Sequence, residues 1–177
     1  FFQAQDGIRD FCLSRGLGDV YKRQIELDDI DKQIIVLLQE NARLSNREIA
    51  KRVGLTATPT IERVKRLERE GVIKGYTAVL EKEKVGKGMT VFVKVTLSVH
   101  QMSLLDEFIE AIQGIPEILS CYHTTGQTDF LLHVVATDIA DYERLLRDKL
   151  TTLPDVQRLE TTMVLRAIKE GGYIPTS

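Results

Sequence analysis

The spacing of apolar residues divides this chain into two parts that have different periods. From Leu27 to Gly71 the apolar positions recur every three or four residues, which is the period of an amphipathic helix. From Met89 onwards, stretches that alternate apolar and polar residues are interleaved with further helical stretches. The pattern therefore predicts a helical unit followed by a unit of mixed strands and helices.

The helical part begins with two short predicted helices. The first covers "LDDIDKQIIVLLQENAR", which carries acidic residues at its start, where they suit a helix N-terminus. Its apolar face is formed by Ile30, Ile34, Leu37 and Leu38. In the second helix, Ser45 as N-cap and Glu48 three residues later form a capping box, and Gly54 is suited to end the helix.

A third helix is predicted to begin within "TATPT" and to stop at Gly71. Two N-caps fit the sequence: Thr56 places Pro59 in the first turn, whereas Thr58 makes Pro59 the first helical residue. We favour Thr56. The buried face is then Ala57, Ile61, Val64 and Leu67. The exposed face is Thr58, Pro59, Glu62, Arg66 and Arg69, with Arg63 and Lys65 flanking it. A strand is predicted to follow at "VIKGYTAVL".

Charge gives the second and third helices a possible role. The whole chain has a net charge of −2, yet the segment 45–71 holds seven bases against four acids, and the segment 72–177 holds 11 bases against 14 acids. Two helices joined by a short turn that contains Gly form a helix-turn-helix, whose second helix fits the DNA major groove. The alternative that the pattern leaves open is a three-helix bundle with a solvated basic face.

The second part is predicted to be a ferredoxin-like βαββαβ domain. Its strands are "MTVFVKVTLSV", "EILSCYHTT", "FLLHVVAT" and "VQRLETTMVLRAI". The inward residues of its two helices are Leu104, Leu105, Phe108, Ile109 and Ile112, then Tyr142, Leu145, Leu146 and Leu150. Both helices cover one face of an antiparallel sheet. The other face would include Phe92, Leu131 and Met163, and an uncovered apolar face predicts a homodimer.

The sequence offers one candidate ligand loop and no catalytic or metal site. In "TTGQTD", Gly126 allows a tight turn with accessible N–H groups, and Asp129 is an acceptor for an ammonium group. A plain hairpin turn explains the same residues. Cys121 and His123 share one face of a strand, but a structural zinc site needs four ligands, and neither His100 nor His133 has a spacing that completes one. We expect packing roles for them.

Several features of the sequence indicate where the protein is found in the cell. No stretch approaches the roughly 18 apolar residues of a membrane span, and no secretory segment is recognisable. Residues 1–24 resemble the translation of a sequencing-library adapter, a natural flexible tail being the alternative, so we leave them out of the fold prediction. Without that segment Cys121 is the single cysteine, which favours a reducing cytoplasm.

The ordered pieces of this sequence resemble the Lrp/AsnC family of leucine-responsive and asparagine-operon regulators, over residues 27–170. The signature pieces are "LDDIDKQIIVLLQENAR", "SNREIAKRVGL", "RVKRLEREGVIKGYTAVL" and "TGQTDFLLHV". The run "TPTIERVKRLEREGVIKGYTA" is closer to the leucine-responsive branch. The resemblance implies a bacterial or archaeal transcription factor that is cytoplasmic and nucleoid-associated. It also implies dimers that assemble further, often into octamers, and a small amino acid as effector, for which leucine is our first candidate.

The resemblance and the pattern together give the expected organisation. It is an α+β chain, with a winged helix-turn-helix joined to a ferredoxin-like domain. The expected boundaries are 1–24 for the tail, 25–75 for the DNA-binding domain, 76–88 for a linker strand or hinge, 89–170 for the effector-binding and oligomerisation domain, and 171–177 for a C-terminal tail. The ligands expected are double-stranded DNA and an amino acid, with no other cofactor, no metal and no membrane.

The residues expected at the two sites follow from the same reasoning. The candidate DNA-binding residues are Arg47, Thr56, Thr58, Pro59, Glu62, Arg63, Lys65, Arg66 and Arg69. The candidate effector-binding residues are Thr124, Thr125, Gly126, Gln127, Thr128 and Asp129, of which the Gly126 and Asp129 pair matches the effector loop of the family. Two other classes compete, namely a small enzyme on the ferredoxin-like domain and a module whose basic helix binds an acidic protein. The helix-turn-helix favours a DNA-binding regulator, which is not an enzyme.

Overall fold

A computed structural model describes residues 25–98 and 102–176 of the chain, except for the side chains of residues 102–104. These residues form two compact units. One consists of residues 25–77 together with 171–176, and the other of residues 78–170. The adapter-like segment 1–24, Val99, His100 and the Leu104 side chain lie outside what is described.

The first unit contains the three predicted helices: α1 (Asp29–Glu40), α2 (Asn46–Val53) and α3 (Ala57–Arg69). Their apolar faces meet in a core that includes Ile34, Ile35, Leu38, Ile49, Val64 and Leu67. The capping box of α2 is confirmed: the Glu48 N–H donates to the Ser45 hydroxyl, and the Ser45 N–H donates to the Glu48 carboxylate at 2.8 Å. Gly54 ends α2 in the left-handed region, with φ 73°.

The buried face of α3 differs from the prediction at one end. Ala57 is exposed and Ile61 is half-buried, whereas Thr60 is fully buried. Thr60 tolerates burial because its hydroxyl donates to the Thr56 carbonyl at 2.9 Å, which satisfies the polar group within the first turn. Ala57 is the first residue of the helix, so it extends past the helices that cover the residues after it.

The strand predicted over residues 72–80 is wrong for the described chain. After α3 the segment Val72–Leu80 is irregular, and no strand is present in residues 25–88. A strand needs a neighbouring strand for its backbone hydrogen bonds, and this segment has none. Val79 and Leu80 are accordingly 95% and 64% exposed.

The C-terminal segment 171–176 packs within the first unit through the side chain of Gln39 on α1. The Gln39 carboxamide bonds the backbone of Ile174 twice: its Nε2 donates to the Ile174 carbonyl at 3.1 Å, and its Oε1 accepts from the Ile174 N–H at 2.7 Å. An extended peptide presents these two groups side by side, so one carboxamide satisfies both. A cavity of about 540 Å³ lies beside this contact, between α1, the segment 72–77 and the residues 174–176.

The second unit has the predicted βαββαβ order. Its elements are β1 (Met89–Leu97), α4 (Met102–Gln113), β2 (Ile118–His123), β3 (Phe130–Ala136), α5 (Ile139–Leu145) and β4 (Val156–Met163). A short 3₁₀ turn, Glu83–Val85, precedes β1, and α5 continues as a π-helical turn over Leu146–Leu150. The sheet order is β2-β3-β1-β4 and all pairs are antiparallel, which confirms the ferredoxin-like prediction.

One face of this sheet is covered by the helices. Val91, Val93 and Val95 are fully buried on that face, as are Leu132 and Val134 opposite them. The predicted inward residues Phe108, Ile112, Tyr142, Leu145 and Leu150 are also buried. Ile109 was predicted to be inward but is 39% exposed, because α4 packs through Phe108 and Ile112 and turns Ile109 to its margin.

The other face of the sheet carries Phe92 and Leu131 as predicted, but not Met163. Met163 pairs with Val91 and therefore lies on the helix-covered face. A bulge at Thr96/Leu97 is the reason: Leu97 pairs with Val156 and Thr96 pairs with Arg158, so one residue of β4 is extra. Such an extra residue reverses the face of every later position counted from Val156.

Candidate DNA-reading helix and ligand loop

Four of the exposed side chains of α3 form a straight row along the helix. Thr58, Glu62, Lys65 and Arg69 are spaced by three or four residues and all are exposed. Of the predicted candidates, Pro59, Arg63 and Arg66 are half-buried beside this row. Lys65, predicted to flank the exposed face, thus lies on it, whereas Arg66 lies at its edge. We call Thr58, Glu62, Lys65 and Arg69 the reading row.

Arg63 and Arg66 are held by a carboxylate on α1. Asp31 is fully buried, and its carboxylate accepts from Arg63 Nη1 at 2.8 Å and from Arg66 Nη2. The Arg63 Nη1 also donates to Asp28 Oδ2 at 2.6 Å. Charge-assisted bonds of this kind are the strong ones in proteins, and a buried carboxylate requires them. The network of Asp28, Asp31, Arg63 and Arg66 is called the clamp below.

The clamp also contains the N-cap of α1. The Asp31 N–H donates to Asp28 Oδ1 at 2.8 Å and the Asp28 N–H donates to Asp31 Oδ2 at 3.2 Å, so the two aspartates form a capping box. The backbone hydrogen bond from Asp31 and the bond from Arg63 lower the pKa of Asp28. The bonds to Asp28 and Asp31 raise the pKa of the Arg63 guanidinium above its usual range. The Asp28 carboxylate and the Arg63 guanidinium are therefore both ionised at neutral pH.

The remaining candidates for DNA binding lie on α2 and at the start of α3. Arg47 is exposed in the first turn of α2. Thr56 is the N-cap of α3, as favoured from the sequence, but its side chain makes no capping hydrogen bond. Its hydroxyl group is consequently available to a ligand at the positive end of the helix dipole.

The predicted ligand loop joins β2 to β3 as a tight turn. The Thr124 N–H donates to the Asp129 carbonyl at 2.8 Å, and the Thr124 hydroxyl donates to the Thr128 carbonyl at 2.9 Å. Gly126 has φ 116°, a backbone conformation that favours glycine. Thr125, Gly126 and Gln127 are exposed at its tip.

Asp129 ties this loop to the end of β1. Its Oδ2 accepts from the Leu97 N–H at 2.8 Å, and its own N–H donates to the Val95 carbonyl at 2.9 Å. One carboxylate oxygen thus has a structural partner at the end of a central strand of the sheet. The residue fixes the position of the loop in addition to any role with a ligand.

Cys121 and His123 lie on the same face of β2, as the alternation predicted. They pair with Leu132 and Phe130, and the His123 ring stacks on Phe130 at 4.8 Å between centroids. Cys121 lies on the edge strand β2, and partial burial raises the pKa of its thiol. Within residues 25–98 and 102–176, no group of three or more His, Cys, Asp or Glu side chains is arranged to hold a metal. In the same residues, no helix is both long and apolar enough to cross a bilayer.

Comparison with known proteins decides the family. Residues 27–74 match the winged helix-turn-helix DNA-binding model, and residues 90–174 match the Lrp/AsnC ligand-binding domain. The chain is 40% identical over 153 residues to the leucine-responsive regulatory protein of Haemophilus influenzae. The aligned residues are 86% of this chain and 92% of that protein. This chain belongs to the Lrp/AsnC family of transcriptional regulators.

Other members extend the comparison. The Bkd operon transcriptional regulator of Pseudomonas aeruginosa is 41% identical over 143 residues, which are 81% of this chain and 94% of that protein. A transcriptional regulator of Neisseria meningitidis, solved as a complex with L-Met, superimposes with TM-score 0.80 at 35% identity and covers 85% of this chain and 97% of its own. Members of the Lrp/AsnC family are DNA-binding regulators and not enzymes.

The clamp was not foreseen from the sequence, although a signal was present. Asp31 occupies a position in the apolar row that continues through Ile34 and Leu38. A carboxylate in a buried row needs cationic partners, and arginines three residues apart on a neighbouring helix can provide them. The helix dipole accounts for an acidic residue in the first turn of α1, but it does not account for the burial of Asp31.

Proposed function

We propose that this member of the Lrp/AsnC family reads specific DNA sequences with α3, and that a small aliphatic amino acid changes its DNA affinity or its assembly. Leucine is the first candidate. The observation that carries the proposal is the reading row, which presents a hydroxyl near the N-terminus of α3 and cations further along. In a major groove, such residues meet base edges and phosphates respectively.

The roles within the interface follow from position and chemistry. Thr58, with Thr56 and Pro59 beside it, is proposed to contact base edges, and Glu62 accepts from an exposed base amine such as that of cytosine. Lys65, Arg69 and Arg47 are proposed to contact phosphates, because their exposed cationic groups can reach a backbone without breaking an internal network. The protein is accordingly proposed to act in the cytoplasm, bound to the DNA of the nucleoid.

The loop Thr124–Asp129 supports the amino-acid part of the proposal. Its exposed tip offers backbone N–H groups to an α-carboxylate, and the Asp129 carboxylate offers a counter-charge to an α-ammonium group. An ion pair shielded from water is stronger than an exposed one, so this loop would bind most tightly at a junction between subunits. The L-Met complex of the Neisseria relative supports an amino acid as the class of ligand.

The decisive experiment combines selection and titration. DNA sequences are selected from a random pool by the purified full chain, and the affinity of the selected duplex is compared with that of a random duplex of equal length. The selected duplex is then titrated in the presence of each of the twenty amino acids. A selected sequence that does not outcompete random DNA by roughly 10³-fold or more would remove the sequence-reading part of the proposal.

The open face of the sheet supports a dimer that assembles further, with an octamer as the expected size. Phe92 and His133 stack on this face with ring centroids 5.1 Å apart, and Leu131 is half-buried beside them. Burial lowers the pKa of His133, so the imidazole is neutral at pH 7 and does not oppose burial against a second copy. Apolar sheet faces of this kind usually meet another subunit.

Changing Leu131 to lysine is expected to dissociate this dimer. The ammonium group would be buried against a second apolar face, which is unfavourable unless the charge is paired. The measurement is the molar mass in solution by sedimentation over a concentration series. Ile139→Lys is the matched control, because Ile139 is 58% exposed at the start of α5, on the helix side of the sheet. Unchanged mass for Leu131→Lys would exclude this face as the interface.

A further inference from the structure

We propose that the clamp is a positioning device for DNA reading: Asp31 orients α3 and also keeps two arginines away from the phosphate backbone. The inference rests on the proposed reading role of α3. It assigns to a residue of α1, which contributes nothing to the reading row, a control over sequence discrimination.

The clamp is the polar connection between α1 and α3. Asp31 lies in the first turn of α1, while Arg63 and Arg66 lie in the middle and second half of α3. The two helices also share an apolar core that includes Ile34, Leu38, Val64 and Leu67. Apolar contacts are tolerant of small rotations, whereas hydrogen bonds require donor–acceptor distances close to 2.9 Å and near-linear geometry. The carboxylate therefore fixes the rotation of α3 about its own axis.

The rotation of α3 determines which side chains face outward. Arg63 and Arg66 are three residues apart and bond one carboxylate from the same side, and the reading row lies on the adjacent face. Base-edge hydrogen bonds tolerate displacements of only a few tenths of an ångström. A small rotation of α3 would thus weaken contacts to DNA bases more than contacts to the DNA phosphates, which are flexible and evenly charged.

The clamp also has an electrostatic effect on discrimination. Arg63 and Arg66 carry two positive charges on the helix that would enter the groove, but both are bonded to the buried carboxylate of Asp31. A free arginine at such a place contributes to binding of any sequence, since it releases counterions from the backbone. Because Asp31 bonds both guanidinium groups, it lowers the affinity for random DNA. At the same time it holds α3 in the orientation needed for base contacts.

The test uses Asp31→Asn in the full chain, with a selected duplex and a random duplex over a salt series. Asparagine has the same shape but no charge, so it weakens the hold on both arginines. We expect affinity for the selected duplex to fall about tenfold, while affinity for the random duplex rises by up to about eightfold at 0.1 M salt for each arginine that gains a phosphate. The salt slope for random DNA would steepen by about 0.9 for each of them.

A merely structural role predicts a different result. If Asp31→Asn only loosened the fold, the affinities for both duplexes would fall in parallel, and that outcome overturns the proposal, as does no change in either affinity. Asp29→Asn is the matched control: it makes the same change of charge in the same turn, but the Asp29 side chain is 95% exposed. It should leave the ratio of the two affinities unchanged.

A second variant keeps the proposal testable if Asp31→Asn does not fold. Arg66→Met retains most of the side-chain bulk and leaves Arg63 to bond Asp31. The clamp predicts lower affinity for the selected duplex with an unchanged salt slope. If Arg66 instead contacts a phosphate directly, the slope becomes shallower by about 0.9, which would overturn the assignment.

The variant Lys65→Ala,Arg69→Ala separates the two levels of inference. If that variant binds DNA like the wild type, α3 is not the reader and the proposed function fails. If it loses affinity while Asp31→Asn retains the wild-type ratio of selected to random binding, the reading role remains and only the clamp proposal fails.

Discussion

Replacement of Lys65 and Arg69 together by alanine is expected to lower the affinity for every DNA sequence by about 60-fold at 0.1 M salt. The affinity varies with salt with an exponent of about −0.9 per phosphate contact. Each contact therefore raises the affinity about eightfold at 0.1 M salt, relative to 1 M salt. The slope of log affinity against log salt should become shallower by about 1.8. The measurement is fluorescence anisotropy of labelled duplexes between 50 and roughly 300 mM salt.

The structure guides the choice of this pair over the pair Arg66 and Arg69. Lys65 and Arg69 are both exposed, with 72% of the Arg69 side chain open to solvent. Arg66 bonds the buried Asp31, so its removal changes the packing of α3 as well as its charge. A loss of affinity for Arg66→Ala would consequently not identify a phosphate contact, whereas the outward pair is free of this ambiguity.

A matched control for the pair is Arg144→Ala,Arg147→Ala. These two side chains are 65% and 71% exposed on the second unit and carry the same total charge. Their removal should leave the salt slope unaltered. An equal effect of both double variants would mean that net charge, and not the surface of α3, determines DNA binding.

Asp129→Asn is expected to abolish amino-acid binding and to leave DNA binding without an amino acid intact. The carboxamide oxygen can still accept from the Leu97 N–H, so the loop stays tied to β1, but the counter-charge for an α-ammonium group is lost. A coupling of roughly 1–3 kcal/mol between amino acid and DNA, or about 5- to 150-fold in affinity, should vanish with it. Calorimetry against the twenty amino acids and DNA titrations with and without them measure both effects.

Asp129→Ala tests a further point, because alanine removes the anchor together with the charge. It should also abolish the response, and in addition lower the melting temperature, since the Leu97 N–H loses its acceptor. Asp148→Asn, whose side chain is 62% exposed on the second unit, makes the same change of charge elsewhere. Full amino-acid binding by Asp129→Asn, or no binding of any amino acid to the wild type at millimolar concentration, would contradict the proposed effector site.

Sequence periodicity was sufficient for the elements whose partners are nearby in the chain. The capping box of α2, the left-handed Gly54 and the alternation of β1 are local, and each could be predicted from a window of about ten residues. The order of the sheet followed from the sequence of strands and helices because ferredoxin-like connections allow few alternatives. The candidate site residues gained their meaning from family resemblance, since a Gly–Asp turn by itself has a simpler explanation.

The errors arose where distant residues decide the outcome. The face of Met163 depended on a bulge that only pairing with β1 reveals, and the segment 72–80 reads as a strand but lacks a neighbouring strand. Thr60 and Asp31 are polar residues in buried rows, and their burial depends on partners in three dimensions. Hydrophobic patterns report which face is covered, but they do not identify which polar residues find partners beneath it.

The bond between Gln39 and Ile174 affects how this protein can be divided and recombined. The helical unit takes its last piece from the opposite end of the chain, so it is discontinuous in sequence. An exchange of DNA readers between two family members by a single crossover near residue 77 would combine an α1 from one parent with a C-terminal segment from the other. A chimaera that keeps the native contact must take the segments 25–77 and 171–176 from one parent and the unit 78–170 between them from the other.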